Sequence, residues 1–241
     1  MRPLNDSPAP KDLGAATICV FFNPRAGTAN RIEDLRDALA ADSRVVLHEL
    51  GSDDDLGRLA GEAGATQDVV AVAGGDGTVH AAANGRVAAR ARATLAVLPL
   101  GTGNDFCRTM AVPLDSIEAL ALLRTGRSRA VDAVKLGGDR TGFMVNAATG
   151  GFSGRVAADV TPDLKAFWGP LAYLRGAVGT VTDPPRYRLT VRFDDGAPKS
   201  FDALNVVVAN ARTAGGGPGR ADREPGGRSP GCGHRPDRGS T

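Results

Sequence analysis

A glycine-rich segment around one aspartate has the residue types and spacing best suited to chemistry. In the stretch Val69–Gly85, an apolar β-branched run ends in Gly74-Gly75-Asp76-Gly77-Thr78, and a helix of small residues follows. Glycines allow backbone N–H groups to approach a ligand closely, and a helix that begins near Thr78 adds partial positive charge there. This layout is typical of a phosphate-binding turn.

The aspartate in this turn needs its own explanation. The segment contains no lysine, and the carboxylate of Asp76 would by itself repel a phosphate. Three roles stay open for Asp76: it binds a divalent cation, it orders water around one, or it caps the helix.

Two further segments have a similar design. The predicted strand Thr94–Leu98 leads into Pro99-Leu-Gly-Thr-Gly-Asn-Asp105, and Ile18–Phe22 leads into Asn23-Pro-Arg-Ala-Gly27. Because the carboxyl ends of parallel strands share one edge of a sheet, the three turns are expected to line one crevice. Asn104 and Asp105 also suit an ordinary helix N-cap. The candidate ligand-binding residues of this crevice are Asn23, Gly27, Gly74, Gly75, Asp76, Gly77, Thr78, Gly101, Thr102 and Asn104.

The hydrophobic pattern predicts an α/β fold with two lobes. Strands are predicted at 18–22, 45–50, 68–73 and 94–98, and helices at 29–41, 54–63, 78–90 and 115–125. This alternation favours a doubly wound parallel sheet. Further strands are predicted at 131–136, 141–148, 186–193 and 201–209, with a helical stretch at 154–181. The predicted organisation is a disordered leader (1–14), an α/β lobe (15–130), a β-rich second lobe (131–217) and a disordered or aberrant tail (218–241).

Bulk properties exclude several classes of protein. A hydrophobic content of 42% over 241 residues supports a real core, and a net charge of +2 argues against a dedicated nucleic-acid binder. No signal-peptide pattern and no bilayer-length apolar run is evident. The three cysteines, Cys19, Cys107 and Cys232, have no metal-binding spacing. We therefore expect a cytoplasmic protein whose membrane contact, if any, is peripheral.

The three turns together resemble the catalytic domain superfamily of diacylglycerol kinases. Later segments, Phe143–Phe152, Thr161–Lys165, Gly169–Tyr173 and Asn210–Gly217, look like the bacterial YegS-type lipid kinases. Gly-Gly-Asp-Gly-Thr alone is less specific, since NAD kinases share it. The resemblance runs from about Ile18 to Gly217 in the order that the family has.

The resemblance implies an ATP-dependent lipid kinase that uses Mg²⁺ and acts at the inner membrane face. The γ-phosphoryl group would pass to a hydroxyl of a glycerolipid such as diacylglycerol or phosphatidylglycerol. It implies that the α/β lobe (15–130) binds the nucleotide through the candidate residues of the three turns, and that the second lobe is a β-sandwich. It places Asp76, Asp105 and Asp132 in a network that reaches the metal through water. Thr161–Val181 is the candidate lipid-facing segment, with a core-facing helix as its alternative.

The sequence departs from the family pattern in two places. His80-Ala81 stands where the family commonly has Asn-Glu, and His80 is expected to be a pocket or helix-surface residue and not a metal ligand. After Gly217 the apolar pattern stops, so the family's metal loop, last strands and general base have no counterpart, and no catalytic base is assigned. A truncation or frameshift would explain this. The alternatives to a lipid kinase are an inactive nucleotide-binding remnant and a kinase of a soluble substrate.

Overall fold

A four-stranded parallel sheet forms the centre of the molecule. The computed structural model describes residues 15–27, 29–126, 128–138, 141–151 and 186–211. The strand order is β2-β1-β3-β4, and every neighbouring pair is parallel. The four strands are β1 (Ile18–Phe22), β2 (Val45–Glu49), β3 (Val69–Gly74) and β4 (Thr94–Pro99).

Helices connect these strands and follow the last of them. They are α1 (Ala29–Ala40), α2 (Leu56–Thr66), α3 (Asp76–Ala88), α4 (Asp105–Met110) and α5 (Ser116–Thr125). All four predicted strands and four of the five helices lie within about three residues of their expected bounds. The sequence predicts a helix start at Asn104 and Asp105, and α4 begins there, with Asn104 as its N-cap. Its bounds were not predicted, because six residues carry too little periodicity to define them.

Both faces of the parallel sheet are covered, as a doubly wound fold requires. In β1, Cys19 and Phe21 pack into one apolar cluster with residues of α2, α3 and α4. Ile18, Val20 and Phe22 pack into a second cluster with residues of α1 and α5. Every residue of β1 and β3 is buried, which explains their continuous apolar sequence. The predicted fold class is therefore confirmed for this part of the chain.

The remaining described strands pair antiparallel, two by two. The pairs are β5 with β6, β7 with β10, and β8 with β9. Their bounds are β5 (Val134–Leu136), β6 (Gly142–Met144), β7 (Ala147–Gly151), β8 (Tyr187–Val191), β9 (Lys199–Ala203) and β10 (Asn205–Ala209). We call these six strands the β region and residues 15–126 the α/β region.

Three strand predictions in the β region need correction. The strand expected at 141–148 is two strands, since the chain turns at Val145 and Asn146, whose carbonyl groups accept hydrogen bonds from Asn210. The strand expected at 201–209 is also two strands, separated at Leu204. The strand expected at 131–136 begins only at Val134. The leader, the helical stretch at 154–181 and the tail lie outside the described residues.

Candidate functional site

The three predicted turns follow adjacent strands at the carboxyl edge of the parallel sheet. Backbone hydrogen bonds join them: Asn23 N–H donates to the Ala73 carbonyl (2.9 Å), and Leu100 N–H donates to the Gly74 carbonyl (3.0 Å). The turn after β1 is therefore tied to the end of β3, and the turn after β4 is tied to the same place. The structure brings the three segments together as the sequence predicts.

Glycines allow two of these turns to touch backbone to backbone. A Cβ added at Gly101 would lie 2.6 Å from the Cα of Gly75, and one at Gly75 would lie 3.2 Å from the Cα of Gly101. Gly27 has φ +95°, and a Cβ there would lie 3.1 Å from the Leu100 carbonyl oxygen. A Cβ at Gly74 would lie 2.4 Å from the hydroxyl oxygen of Thr78. Packing within the protein therefore accounts for these four glycines.

Gly77 differs from the other glycines of the turns. It is exposed in the first turn of α3, and an added Cβ would have no described atom within 4 Å. Glycine is unfavourable inside a helix by roughly 1 kcal/mol relative to alanine. No contact with the described residues therefore requires a glycine at this position.

Helix α3 begins at Asp76, two residues earlier than predicted. Its N-cap is Gly75, which has no side chain to satisfy the first N–H groups. Those N–H groups lie at the N-terminus of the helix, at the carboxyl edge of the sheet, and carry the partial positive charge of the helix. Such an end is well suited to bind an anion.

The carboxylate of Asp76 caps a neighbouring helix and not its own. Its Oδ2 accepts from Asp105 N–H (3.1 Å), and its Oδ1 accepts from Phe106 N–H (3.0 Å). These are the first two N–H groups of α4, so one side chain joins the two glycine turns. The capping role left open by the sequence is therefore present, but for α4.

A third donor reaches Asp76 from the β region. The side-chain amide of Asn146 donates to Oδ1 at 3.3 Å. A carboxylate has about four acceptor positions, so the three N–H donors found among the described residues leave one on Oδ2. A Cβ added at Gly103 would lie 3.1 Å from that oxygen, and the glycine therefore keeps this side of Oδ2 open. Burial, together with the charge on Asp76, raises the pKa of the Cys107 thiol to about 12.

The other predicted nucleotide-binding residues take up different positions. Asn23 accepts from Arg25 N–H (3.1 Å) through Oδ1, and its amide donates to the Thr78 hydroxyl (3.4 Å). Asn104 is buried with φ +49°, and its amide donates to the Gly101 carbonyl (2.6 Å). Thr102 is exposed at the tip of its turn. Asn104 thus shapes the turn, and Thr102 is accessible to a ligand.

The predicted metal residues differ in burial and in the contacts that they make. Asp105 is buried beside Asp76, whose carboxylate holds the Asp105 N–H. Asp132 is exposed, and its described contact is through its backbone carbonyl, which accepts from the amide of Asn210 (2.7 Å). Within the described residues no group of three or more His, Cys, Asp or Glu side chains could hold a metal ion. Water-mediated metal binding by these aspartates stays a prediction.

Two asparagines at this site were missed by the sequence reasoning. Asn146 places its amide on Asp76, while its Oδ1 is buried without a hydrogen-bond partner in the described part of the chain. Asn84 holds the backbone of Phe143 in the β region. Asp76, His80 and Asn84 are spaced four apart and share one face of α3. That spacing is the signal that could have identified Asn84, and His80 is exposed, as expected.

Comparison with known proteins identifies the family of this chain. Residues 17–136 match the model of the diacylglycerol kinase catalytic domain. A protein of Yersinia enterocolitica named "Probable lipid kinase YegS-like" is 32% identical, over 83% of this chain and 68% of the relative. This chain belongs to the diacylglycerol kinase catalytic domain family. The match covers all three glycine-rich turns and ends within β5.

Two further proteins match the chain over a similar share of its length. A protein of the same name from Pseudomonas savastanoi pv. phaseolicola is 37% identical over 77% of this chain and 61% of the relative. A diacylglycerol kinase structure from Bacillus anthracis superimposes with a TM-score of 0.68 at 27% identity, covering 83% of this chain and 66% of that one. The chain thus spans about three fifths of the length of the first curated relatives that it matches.

Proposed function

We propose that this chain binds the phosphates of ATP at the carboxyl edge of its parallel sheet and transfers the γ-phosphoryl group to a hydroxyl of a glycerolipid. Diacylglycerol and phosphatidylglycerol are the candidate acceptors. The observation that supports this most directly is Asp76, whose carboxylate is oriented by three N–H donors and is paired with no cation in the described residues. Membership of the family supplies the reaction class.

The phosphate-binding part of the proposal rests on the first turn of α3. Gly75, Asp76 and Gly77 supply backbone N–H groups at the start of a 13-residue helix. Gly77 leaves room beside them, and the Thr78 hydroxyl lies one residue further on. These groups would bind and orient phosphate oxygens so that the terminal phosphorus faces the acceptor hydroxyl.

The oxygens beside the turn fit a hydrated Mg²⁺ better than a dedicated metal cage. Within the described part of the chain, Asp76 keeps one acceptor position without a donor and the buried Oδ1 of Asn146 has no hydrogen-bond partner. Mg²⁺ prefers oxygen ligands and usually keeps several waters when nucleotide phosphates also hold it. When bound, it would neutralise phosphate charge during transfer. Asp76 and Asn146 would then orient its waters by accepting their hydrogens.

The membrane part of the proposal concerns a lipid substrate and peripheral contact at the inner membrane face. The relatives are named as lipid kinases, and lipid acceptors reside in bilayers. Among the described residues, no helix combines the length and apolar character needed to cross a bilayer. Thr161–Val181 remains the predicted lipid-facing segment and lies outside the described residues.

Nucleotide binding without phosphoryl transfer is a second candidate function. Every contact described at the carboxyl edge concerns the turns that would hold phosphates, and none involves a group assigned to accept the proton of the acceptor hydroxyl. The two functions predict the same nucleotide affinity and differ only in turnover. A single pair of measurements can therefore separate them.

The test is phosphoryl transfer from γ-labelled ATP with Mg²⁺ into mixed micelles of diacylglycerol or phosphatidylglycerol. We expect labelled lipid from the wild-type chain and a loss of at least about a hundredfold in Asp76→Ala. Nucleotide affinity and thermal unfolding are measured on the same samples. A folded wild-type chain that binds ATP but labels neither lipid would support the second candidate, and one that does not bind ATP would reject both.

A further inference from the structure

Helix α3 is joined to the β region by the side chain of Asn84. Its amide nitrogen donates to the Phe143 carbonyl (2.7 Å), and its Oδ1 accepts from the Phe143 N–H (2.7 Å). One side-chain amide thus satisfies both backbone groups of a residue in β6, as a neighbouring strand would. The same amide nitrogen donates to the His80 carbonyl within α3 (3.0 Å), which fixes the orientation of the side chain.

The segment of the β region that contacts Asn84 has a glycine beside the amide and buried apolar residues after it. A Cβ at Gly142 would lie 2.9 Å from Asn84 Oδ1, so a larger residue there would push the amide away. Met144 and Val145, which follow Phe143, are buried, and Val145 packs in the apolar cluster that includes α3 residues. The segment 142–145 is therefore held against α3 by hydrogen bonds at one point and by apolar packing directly after it.

This segment leads directly to Asn146, the residue that reaches the phosphate turn. Asn146 follows Phe143 by three residues, and its amide donates to Asp76 Oδ1 (3.3 Å). Its backbone carbonyl accepts from the N–H groups of Asn210 and Ala211 (2.8 and 3.0 Å). The position of the Asn146 side chain thus depends on where β6 is held, and Asn84 holds β6 on the helix that begins at Asp76.

We propose that Asn84 is a positioning residue that couples β6 to the phosphate turn, by placing the amide of Asn146 on the carboxylate of Asp76. The inference rests on the proposed function, because the turn is taken to bind nucleotide. Asn84 touches neither the turn nor the proposed ligand site through any described contact. Its effect on nucleotide binding is exerted through Asn146, and the two residues act as one unit.

A double-mutant cycle tests this dependence. The full chain, Asn84→Ala, Asn146→Ala and the double variant are titrated with MgADP, and Asn84→Asp serves as a second, nearly isosteric variant. We expect each single alanine variant to weaken binding about five- to tenfold, and the double variant to be no weaker than the worse single variant. The control is Glu62→Ala in α2, whose side chain is exposed and pairs with Arg58, and it should change affinity less than twofold.

Hydrogen exchange without nucleotide makes the inference testable apart from the proposed function. The N–H groups of Asp105 and Phe106 donate to Asp76, so looser positioning of Asp76 exposes them. We expect their exchange to be about three- to fivefold faster in Asn84→Ala and Asn146→Ala, and unchanged in Glu62→Ala. If the wild-type chain failed to bind MgADP while this pattern held, the proposed function would fail and the coupling would stand.

Two results would overturn the inference. One is additivity, in which the double variant multiplies the effects of the two single changes on affinity or exchange. The other is unchanged exchange at Asp105 and Phe106 in both Asn84 variants while each still unfolds cooperatively. Thermal unfolding of every variant identifies any that is globally unfolded, and in that case Asn84→Asp carries the comparison.

Discussion

Two aspartates at opposite edges of the parallel sheet have contrasting partners. Asp42 precedes β2 at the amino edge and pairs with Arg44 (2.6 Å) and Arg124 (3.4 Å). Asp76 follows β3 at the carboxyl edge and accepts from three N–H groups that carry no net charge. At the amino edge, arginines of the protein neutralise the charge of Asp42. At the carboxyl edge, hydrogen bonds orient the carboxylate of Asp76, which pairs with no cation among the described residues.

This difference separates a carboxylate that stabilises the fold from one that we propose to be functional. Charge-assisted hydrogen bonds to guanidinium groups hold Asp42 in one conformation and lower the pKa of its carboxyl group far below the ordinary range. Dipoles orient Asp76 without cancelling its charge, which is the arrangement that suits a cation or its bound water. The same substitution should therefore reduce activity at Asp76 and affect mainly stability at Asp42.

The largest expected effect is that of Asp76→Asn on phosphoryl transfer to lipid. The change removes the negative charge and turns an N–H donor toward an N–H group of α4, so activity should fall at least about a hundredfold. Loss of one cap contact should lower the free energy of unfolding by only about 1 kcal/mol. Labelled-lipid assays and urea unfolding on the same preparations measure both.

Asp42→Asn is the matched control for that substitution. It should leave MgADP affinity within about twofold, because the residue lies at the opposite edge of the sheet. An Asp42→Asn protein that unfolds normally but loses nucleotide binding would contradict the contrast between the two edges.

The next effect in size is that of Gly77→Ala on nucleotide affinity. A Cβ at this position meets no described atom within 4 Å, and alanine favours a helix over glycine, so the unfolding temperature should stay the same or rise slightly. If phosphate approaches this turn closely, the added methyl group should weaken MgADP binding about tenfold. Calorimetric titration and a thermal melt give the two values.

Gly101→Ala provides the opposite case at the same edge. Its Cβ would lie 2.6 Å from the Cα of Gly75, so the two turns must separate and the protein should lose stability. Unchanged affinity in Gly77→Ala would place the phosphates away from the first turn of α3.

The smallest expected effect is the pH dependence that Asp42 adds to stability. Its pKa is lowered in the folded chain, chiefly by hydrogen bonding to Arg44, so its contribution is complete above about pH 4, the ordinary range of an aspartate. The contribution is lost as pH falls below that range toward the folded-state pKa. Asp42→Asn should therefore lower the free energy of unfolding by about 1–2 kcal/mol at pH 7 and by less at pH 3. Urea unfolding at both pH values measures this, and an equal loss at each would argue against the ion pairs.

Local sequence signals predicted nearly all strands and helices of the α/β region. Continuous apolar runs at β1 and β3, glycines after the strands and periodic helices are local signals that needed no knowledge of distant contacts. The glycine-rich turns also predicted one shared crevice, since parallel strands necessarily end at a common edge. Family membership followed from these same segments.

The hydrogen bonds that join the turns to one another are seen only in the folded structure. Helix α4 is too short to be stable alone and begins where Asp76, 29 residues earlier, accepts its first N–H group. The roles of Asn84 and Asn146 depend on contacts across 59 and 70 residues, and no local pattern encodes such distances. Residue types and spacing therefore predicted which turns come together at the candidate site. The hydrogen-bond partners of each side chain came from packing, because a hydrogen bond depends on distance in space and not on separation in sequence.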